Sequence, residues 1–425
     1  MIIIHIMNDL MLSRAVSPHL DAMMRVMPAV VVCGARQTGK TTLARALGSR
    51  GGDDGQASPP AATGRQFASL DDVDVFGLAR RDPDALVRGT RPVTLDEVQR
   101  EPELLGAVKR EIDRERVPGR FLLTGSANLL LMRRVSESLA GRATYLTLWP
   151  MTRREQLGLG QCGIWEKLLE VPDRDWLDVV AAHGGEPEDW RTWARSGGFP
   201  FPAVHLRTPE ERAIWYAGYV QTYLERDLQV LSSIAALPDF RRLMRAACLR
   251  LGSPVNQSDL GRDIGLPQPT VHRYLNLLET SYVLVRVPAY SVNRTKRLIK
   301  SPKLYWSDTG LAMHLSQEEP RGAHLENLVL QDLLVWRDSR SDQAEILHWR
   351  TTTNDEVDFV IEAGGALVPI EVKATRRPRL RDASHLRTFR NEYGRAARSG
   401  LLLHGGNSLD WITPEVLAAP WWMVI

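Results

Sequence analysis

Near its start the chain reads Gly34-Ala35-Arg36-Gln37-Thr38-Gly39-Lys40-Thr41, which completes the pattern G-x-x-x-x-G-K-[ST] of phosphate-binding loops. Apolar residues 29–32 precede this loop and a helical pattern follows over residues 42–47, so the loop is predicted to join a buried strand to a helix. Backbone N–H groups of such a loop wrap a polyphosphate, and the N-terminal dipole of the helix faces the anion. Lys40 is the cation for the β and γ phosphates, and the Thr41 hydroxyl is a magnesium ligand. We therefore predict that the eight residues bind ATP.

The second half of such a site is predicted by residues 92–97, a short β-rich run that ends in Asp96 and Glu97. Asp96 is expected to hold Mg²⁺ through water, and Glu97 is expected to orient or deprotonate the attacking water. An Asp-Glu pair is common at strand ends, so its weight depends on the phosphate loop upstream. Together the two motifs predict a magnesium-dependent ATPase.

Two further residues are candidates for the same site. A strand over residues 120–123 ends at Thr124, whose hydroxyl either senses the γ-phosphate or the attacking water, or is a polar strand end before a turn glycine. Arg142 closes the run 138–142 after a helical stretch. It either supplies positive charge to the transition state, from the same chain or from a neighbouring subunit, or is a surface cation at a helix end.

Length and composition set wider bounds. The 425 residues are too many for one hydrophobic core and suggest roughly two to four domains. Apolar residues make up 44 % and charged residues 25 %, and no stretch reaches the apolar length that crosses a bilayer, so a cytoplasmic protein without a membrane partner is expected. The 3 cysteines are too few and too scattered for a disulfide framework or a zinc cluster. A net charge of +3 does not by itself imply nucleic-acid binding.

The middle of the chain, over residues 243–290, changes to a pattern of short helices. Residues 258–264 form one helix, 265–267 turn the chain, 268–278 form the next helix and 283–287 read as a strand, which is the order of a winged helix-turn-helix. In a DNA-binding interpretation, four side chains face the major groove and four cations meet phosphates, namely Gln268, Thr270, His272 and Arg273, and Arg294, Lys296, Arg297 and Lys300. The alternative is a small packing domain that serves as a lid or partner surface of the ATPase.

A second group of chemically active residues lies near the C-terminus. Residues 356–362 and 367–373 alternate like strands on either side of Gly364-Gly365, which predicts a hairpin. Because the side-chain period of a strand is two, Glu371 and Lys373 share one face, and the hairpin brings Asp358 beside them. This is the arrangement that nucleases of the PD-(D/E)XK type need.

In that arrangement Asp358 and Glu371 chelate Mg²⁺, and Lys373 positions or activates a hydrolytic water. Glu326, from a helix upstream, completes the predicted metal pocket. A lone Glu-Val-Lys is weak evidence for a nuclease-like domain, because exposed cross-strand charge pairs often produce this pattern. Four elements in the right order are stronger evidence. They predict a restriction-endonuclease-like α/β domain, with cleavage of DNA or RNA left open.

Five ordered blocks of the chain resemble one family. They are the phosphate loop and residues 69–72, 95–99, 123–126 and 138–142. In these blocks the chain resembles the bacterial and archaeal AAA-type ATP-binding proteins that carry a C-terminal PD-(D/E)XK nuclease-like domain, and the similarity extends through residues 197–200 and 222–227. The chain departs from the family at Ala35, where the family usually has proline, which costs loop rigidity and should leave the phosphate contacts intact.

The residues and the resemblance together predict an α/β protein of four parts. These are a P-loop AAA-type ATPase domain with a parallel sheet (1–155), a helical linker region (156–240), a winged helix-turn-helix (241–315) and a nuclease-like domain (316–425). Two hypotheses for function follow. In the first, nucleotide state controls a nuclease that acts on DNA or RNA. In the second, the ATPase is a regulatory switch that changes conformation for a protein partner, and the C-terminal domain is a binding platform without catalysis. Assembly into a homo-oligomer is left open.

Overall fold

The computed structural model describes residues 12–49, 64–125, 138–227, 236–293, 295, 297 and 300–425. The chain divides into two compact units, Met1–Trp149 with Thr280–Tyr282, and Pro150–Glu279 with Val283–Ile425. Within the described residues, no helix is both long enough and apolar enough to cross a bilayer. The finer division into four domains stays a prediction.

The first unit is built on a five-stranded sheet whose neighbouring strands are all parallel, in the order β2-β3-β4-β1-β5. Its strands are β1 (Ala29–Cys33), β2 (Gln66–Ser69), β3 (Val93–Asp96), β4 (Phe121–Thr124) and β5 (Ala143–Thr147). Its helices are α1 (Ser17–Val26), α2 (Lys40–Ser49), α3 (Val73–Arg81), α4 (Pro83–Val87) and α5 (Leu104–Arg114). The predicted parallel α/β sheet is confirmed.

The core of this unit explains why the strands read as continuous apolar runs. Every residue of β1, β3 and β4 is buried, as expected for parallel strands that are covered on both faces. The helix α5 buries Leu104, Leu105, Val108 and Ile112 in the same core. Because the strands are parallel, their carboxyl ends lie at one edge, and the phosphate loop, Asp96 and Thr124 are all found there.

The second unit begins with helices. These are α6 (Arg153–Gln156), α7 (Trp165–Glu170), α8 (Trp176–Ala182), α9 (Trp190–Ser196), α10 (Pro209–Tyr219), α11 (Leu237–Leu249), α12 (Gln257–Ile264) and α13 (Gln268–Thr280). Two π-helical segments flank α10, at Phe201–His205 and Val220–Asp227. The Asn256 side chain caps α12, and Gly265, at φ +70°, ends it. A two-stranded antiparallel sheet follows, of β6 (Leu284–Val287) and β7 (Lys303–Trp306).

The C-terminal part carries a six-stranded mixed sheet in the order β12-β13-β11-β10-β9-β8. Its strands are β8 (Ala344–Arg350), β9 (Glu356–Ala363), β10 (Ala366–Lys373), β11 (Gly400–His404), β12 (Asp410–Thr413) and β13 (Val416–Pro420). Its helices are α15 (Gly322–Asp338), α16 (Ser384–Tyr393) and α17 (Trp421–Val424), and the helix α14 (Thr309–Ser316) comes before them in the chain. The predicted hairpin is confirmed, because β9 and β10 pair antiparallel around Gly364 and Gly365.

Candidate functional site

The phosphate loop joins β1 to α2 and depends on glycine at its first position. Gly34 has a φ of +143° and Gly39 a φ of +92°, a region that favours glycine. A Cβ on Gly34 would lie 2.3 Å from the carbonyl oxygen of Leu148. Any larger residue at position 34 would therefore clash with the backbone of Leu148, and either this backbone or the loop would have to move.

Lys40 is the buried cation of this loop, with only 5 % of its surface exposed. Its Nζ donates hydrogen bonds to the carbonyl oxygens of Ala35 at 2.7 Å and Gly34 at 3.2 Å. Burial lowers the pKa of Lys40 to about 8, although the charge of Glu97 opposes this shift. A buried ammonium held by neutral carbonyl oxygens is suited to accept an anionic ligand such as a phosphate.

Asp96, at the end of β3, collects three hydroxyl groups. The Thr41 hydroxyl donates to its two carboxylate oxygens at 3.0 and 3.2 Å, Ser69 Oγ donates to Oδ2 at 3.1 Å, and the Thr124 hydroxyl donates to Oδ1. The carboxylate is 2 % exposed. A hydroxyl and a carboxylate side by side are the oxygen ligands that Mg²⁺ takes, so Thr41 and Asp96 fit the predicted metal ion.

Glu97 follows in a constrained conformation. Its φ is +59° and its ψ is +41°, the left-handed region that is uncommon for residues other than glycine. Its N–H donates to Thr124 Oγ1 at 3.3 Å, and its Oε2 accepts a hydrogen bond from Gln99. Burial raises the pKa of Glu97, against the hydrogen bond from Gln99 and the charge of Lys40. Strained backbone and a raised carboxyl pKa are both features of catalytic bases.

The structure separates Thr124 from Arg142 as candidates. Thr124 contacts both Asp96 and the backbone of Glu97. Arg142 instead pairs with Asp113, with Nε–Oδ1 at 2.5 Å and Nη2–Oδ2 at 3.0 Å, and donates to the carbonyl of Ala140 at 3.0 Å. Its role toward a transition state stays a prediction, and residues 126–137, where a helical stretch is predicted before the run 138–142, lie outside the described residues.

The C-terminal site brings the predicted residues together around a residue that was not predicted. We define the carboxylate cluster as Glu326, Glu356, Asp358 and Glu371. The ammonium of Lys303, on β7, lies 2.6 Å from Glu356 Oε1, 2.8 Å from Asp358 Oδ1 and 4.0 Å from Glu326 Oε2. The Lys303 side chain is 1 % exposed. A lysine in the otherwise apolar run 303–306 is the sequence signal that could have indicated this position.

Other contacts complete the geometry of the cluster. The Val372 N–H donates to Asp358 Oδ2 at 3.0 Å, and the Tyr305 hydroxyl donates to Glu326 Oε2 at 3.0 Å. Lys373 Nζ pairs with Glu371 Oε1. The other carboxylate oxygen of Glu371, Oε2, is buried and has no hydrogen-bond partner among the described residues.

The pKa shifts in the cluster differ from one carboxyl to the next. Burial would raise the pKa of Asp358, but Lys303, followed by Lys373, holds it below its ordinary value. Burial and then the charge of Asp358 raise the pKa values of Glu326 and Glu371. Burial would lower the pKa of Lys303, but Asp358 and the other acids raise it well above its usual range. The Lys303–Asp358 pair therefore stays charged at neutral pH.

The predicted Mg²⁺ site of this domain does not fit the residues as they stand. Asp358 and Glu371 are buried and Glu326 is partly buried beside them, but the ammonium of Lys303 already lies against Asp358. Within the part of the chain that the structure describes, no group of three or more His, Cys, Asp or Glu side chains is arranged to hold a metal ion. A metal-dependent hydrolytic role for Lys373 therefore has no support in this arrangement.

A cationic cleft opens beside Lys373. Its volume is about 550 Å³. Four of its eight lining residues are basic and one is acidic; the eight are Lys373, Ala374, Thr375, Arg377, Pro378, Arg379, Arg381 and Asp382. Guanidinium groups recognise phosphates through paired hydrogen bonds, so a phosphate backbone is the ligand that this lining suits.

The predicted DNA-contacting residues of the middle region have mixed outcomes. On α13, Gln268 and His272 are exposed and both hydrogen-bond to Gln257 at 3.2 Å. Arg297, predicted to meet phosphates, is instead 6 % exposed and pairs with Glu345 at 2.8 Å and Glu362 at 2.5 Å. Two more of the predicted cations, at positions 294 and 296, lie outside the described residues.

Comparison with known families divides the chain into three matched segments. Residues 27–157 match a family described as an AAA domain, which marks the first unit as a nucleotide-binding, ATPase-type domain. Residues 187–322 match a domain of unknown function, DUF8612, and residues 321–423 match another, DUF4143.

Two mycobacterial proteins are similar to most of the chain. They are the uncharacterized protein Rv2008c of Mycobacterium tuberculosis (strain ATCC 25618 / H37Rv) and the uncharacterized protein Mb2031c of Mycobacterium bovis (strain ATCC BAA-935 / AF2122/97). Each is 32 % identical over 361 residues, which cover 83 % of this chain and 71 % of the relative. The chain therefore belongs to the family of these two proteins, with an AAA domain followed by two domains of unknown function.

Proposed function

We propose that the chain binds ATP with Mg²⁺ and hydrolyses it, with Glu97 as the residue that orients or deprotonates the attacking water. The observation that carries this proposal is the convergence of Thr41, Thr124 and Asp96 in one set of hydrogen bonds at the edge of the parallel sheet. That set lies next to the phosphate loop, which ends at Thr41.

The chemistry assigned to each residue follows from its contacts. The loop backbone and Lys40 bind the phosphates, and Lys40 exchanges its two carbonyl acceptors for phosphate oxygens. Thr41 and Asp96 would hold Mg²⁺, which when bound neutralises charge on the phosphates. Glu97, with its raised pKa, accepts a proton more readily than an ordinary carboxylate. Thr124 orients the Glu97 backbone, and Arg142 could reach a phosphate after leaving Asp113, in its own chain or a neighbouring one.

The test is the Glu97→Gln variant, measured by phosphate release and by equilibrium binding of a fluorescent ATP analogue. Loss of the base is expected to lower the turnover number by about 10²- to 10⁴-fold, with binding retained. Glu101→Gln, which removes a carboxylate that lies 3.7 Å from Arg80, is the matched control. Normal turnover in Glu97→Gln would exclude Glu97 as the base.

A second candidate function concerns the C-terminal domain, which we propose to be nuclease-like in fold and to bind a nucleic-acid backbone. The supporting observation is the arginine-lined cleft beside Lys373. Phosphate neutralisation by several cations gives binding that weakens steeply with salt. We also propose that residues 241–315 form a winged helix-turn-helix, that the protein is cytoplasmic and that it can assemble as a homo-oligomer.

ATPase turnover with and without single-stranded and duplex nucleic acid tests the second candidate. Stimulation that is lost in a triple Arg377→Ala, Arg379→Ala, Arg381→Ala variant would support nucleic-acid binding at the cleft. Arg174→Ala, at an exposed arginine of the same unit, is the control. If neither nucleic acid changes turnover, the regulatory switch with a protein partner is the better account.

A further inference from the structure

Lys303 is the residue around which the carboxylate cluster is organised. Its ammonium contacts Glu356 and Asp358 within hydrogen-bond distance and lies 4.0 Å from Glu326. It comes from β7, whereas these three acids come from β9 and α15. One buried cation therefore joins side chains from separate parts of the second unit.

The backbone around β7 holds this ammonium in place. β7 pairs with β6, and the loop before α12 pairs with β7, because Gly252 N–H donates to Leu304 O at 2.8 Å and Leu304 N–H donates to Ser253 O at 3.1 Å. Gly252 has a φ of +74°, and a Cβ there would lie 2.9 Å from Glu326 Oε2. The cluster is thus covered closely by the loop before α12, which is hydrogen-bonded to β7, the strand that supplies Lys303.

An ammonium and a divalent ion compete for the same oxygen atoms. Mg²⁺ and Mn²⁺ bind carboxylate oxygens directly, at about 2.0–2.2 Å. Both Asp358 oxygens are already engaged, Oδ1 by Lys303 and Oδ2 by the Val372 N–H. A metal ion on Oδ1 would also meet the positive charge of Lys303 at close range.

We infer that Lys303 is the resident cation of the carboxylate cluster, and that the cluster is a latent divalent-metal site which is closed while Lys303 lies in it. Glu371 Oε2, which is buried and has no hydrogen-bond partner among the described residues, supplies a further oxygen once the ammonium is removed. The resulting set consists of carboxylate oxygens, the ligands that hard cations such as Mg²⁺ and Mn²⁺ prefer. The wild-type domain therefore binds no catalytic metal in this conformation.

The experiment is a titration of the full, nucleotide-free chain with Mn²⁺, followed by electron paramagnetic resonance of the free ion. Lys303→Met is expected to bind additional Mn²⁺ relative to the wild type, and this gain should disappear when Asp358→Asn is added. Lys373→Met is the matched control, since it removes the other lysine of the site and leaves Lys303 in place. A folded Lys303→Met that binds no additional Mn²⁺ would overturn the inference.

A second comparison does not require any change at Lys303. Glu371→Gln removes a carboxylate from the cluster and leaves the Lys303 contacts with Glu356 and Asp358 intact. The wild type and Glu371→Gln should give the same Mn²⁺ isotherm, because the phosphate-loop site is common to both. Stronger Mn²⁺ binding by the wild type would show that its cluster already takes the metal, and the inference would fail.

Discussion

The two units each bury a lysine ammonium, and the two lysines differ in what they contact. Lys40 hydrogen-bonds to neutral backbone carbonyl oxygens, and burial lowers its pKa to about 8. Lys303 contacts carboxylates, and its pKa is raised well above the usual range in spite of burial. The two ammonium groups are similarly buried, but only that of Lys303 is in contact with carboxylates.

The difference distinguishes the Lys40 site, where the ammonium can still gain an anionic partner, from the Lys303 site, where the ammonium is already paired with carboxylates. A buried cation without carboxylates against it gains when an anion such as a polyphosphate arrives. A cation that is already paired has nothing to gain, and removing it leaves buried carboxylates unpaired. Substitution of each lysine should therefore give opposite patterns of binding and stability.

The largest expected effect is on nucleotide binding at Lys40. Lys40→Ala should abolish tight ATP binding and lower ATP turnover by at least about 10²-fold, because the cation for the β and γ phosphates is lost. Thermal stability without nucleotide should not fall in step, since the costly burial of an ammonium is relieved. Titration with a fluorescent ATP analogue and a thermal melt measure both. Lys109→Ala on α5 is the control, and unchanged ATP binding in Lys40→Ala would refute the phosphate-loop assignment.

At Lys303 the order of effects should be reversed. Lys303→Met is expected to lower the free energy of unfolding by about 3–5 kcal/mol, the usual cost of removing one partner of a buried ion pair. ATP binding should be retained. Denaturant unfolding of Lys303→Met, alone and combined with Asp358→Asn, checks this. The double variant should recover part of the loss, and full stability of the single variant would mean that the pair contributes little.

The contrast between the units also shows what the sequence could predict. The placement of the phosphate loop and Asp96 at one edge of the sheet was predictable, because it depends on local spacing and on the common edge of a parallel sheet. The hairpin of β9 and β10 was predictable from period-two alternation around a glycine pair. Both rest on residues that are close in sequence or on a regular sheet geometry.

The missed features depend on contacts between distant segments. Lys303 meets Asp358 across 55 residues of sequence, and nothing in the run 303–306 states which acids it will face. Arg297 was interpreted as a phosphate contact because it lies in a basic stretch, yet Glu345 and Glu362 neutralise it from strands β8 and β9. Counting charges along a sequence does not reveal such partners.

A pair of buried aspartates in the second unit extends the comparison to pH. Asp358 has a cation, whereas Asp332 Oδ1 accepts hydrogen bonds from Gly163 N–H at 2.7 Å and Trp165 Nε1 at 2.6 Å. Burial raises the pKa of Asp332 from 3.8 to about 6, against those hydrogen bonds. Since its folded-state pKa is raised, the stability that Asp332 contributes is complete below pH 3.8 and is lost as pH rises to about 6.

The loss over that window is expected to be roughly 3 kcal/mol, as about two pKa units correspond to that free energy. Asp332→Asn should remove this pH dependence, because its amide does not titrate and its oxygen can still accept both hydrogen bonds. The measurement is the difference in melting temperature between the wild type and Asp332→Asn, taken at intervals from about pH 4 to about pH 7, a range that spans the titration. A constant difference across this range would mean that Asp332 does not titrate there.

The smallest expected effect tests how closely the loop before α12, which contains Gly252, covers the cluster. Gly252→Ala places a Cβ 2.9 Å from Glu326 Oε2 at a backbone φ of +74°, and should cost about 2 kcal/mol of stability. Gly365→Ala is the matched control, since Gly365 has a φ of +80° and nothing within 4 Å of the added Cβ. It should cost about 1 kcal/mol, the price of the backbone conformation alone. The difference between the two unfolding free energies reports the contacts of the added Cβ with Glu326 and with Ala323 Cβ, which would lie 3.2 Å away, and equal losses would show that the loop yields and leaves Lys303 less tightly enclosed than its contacts indicate.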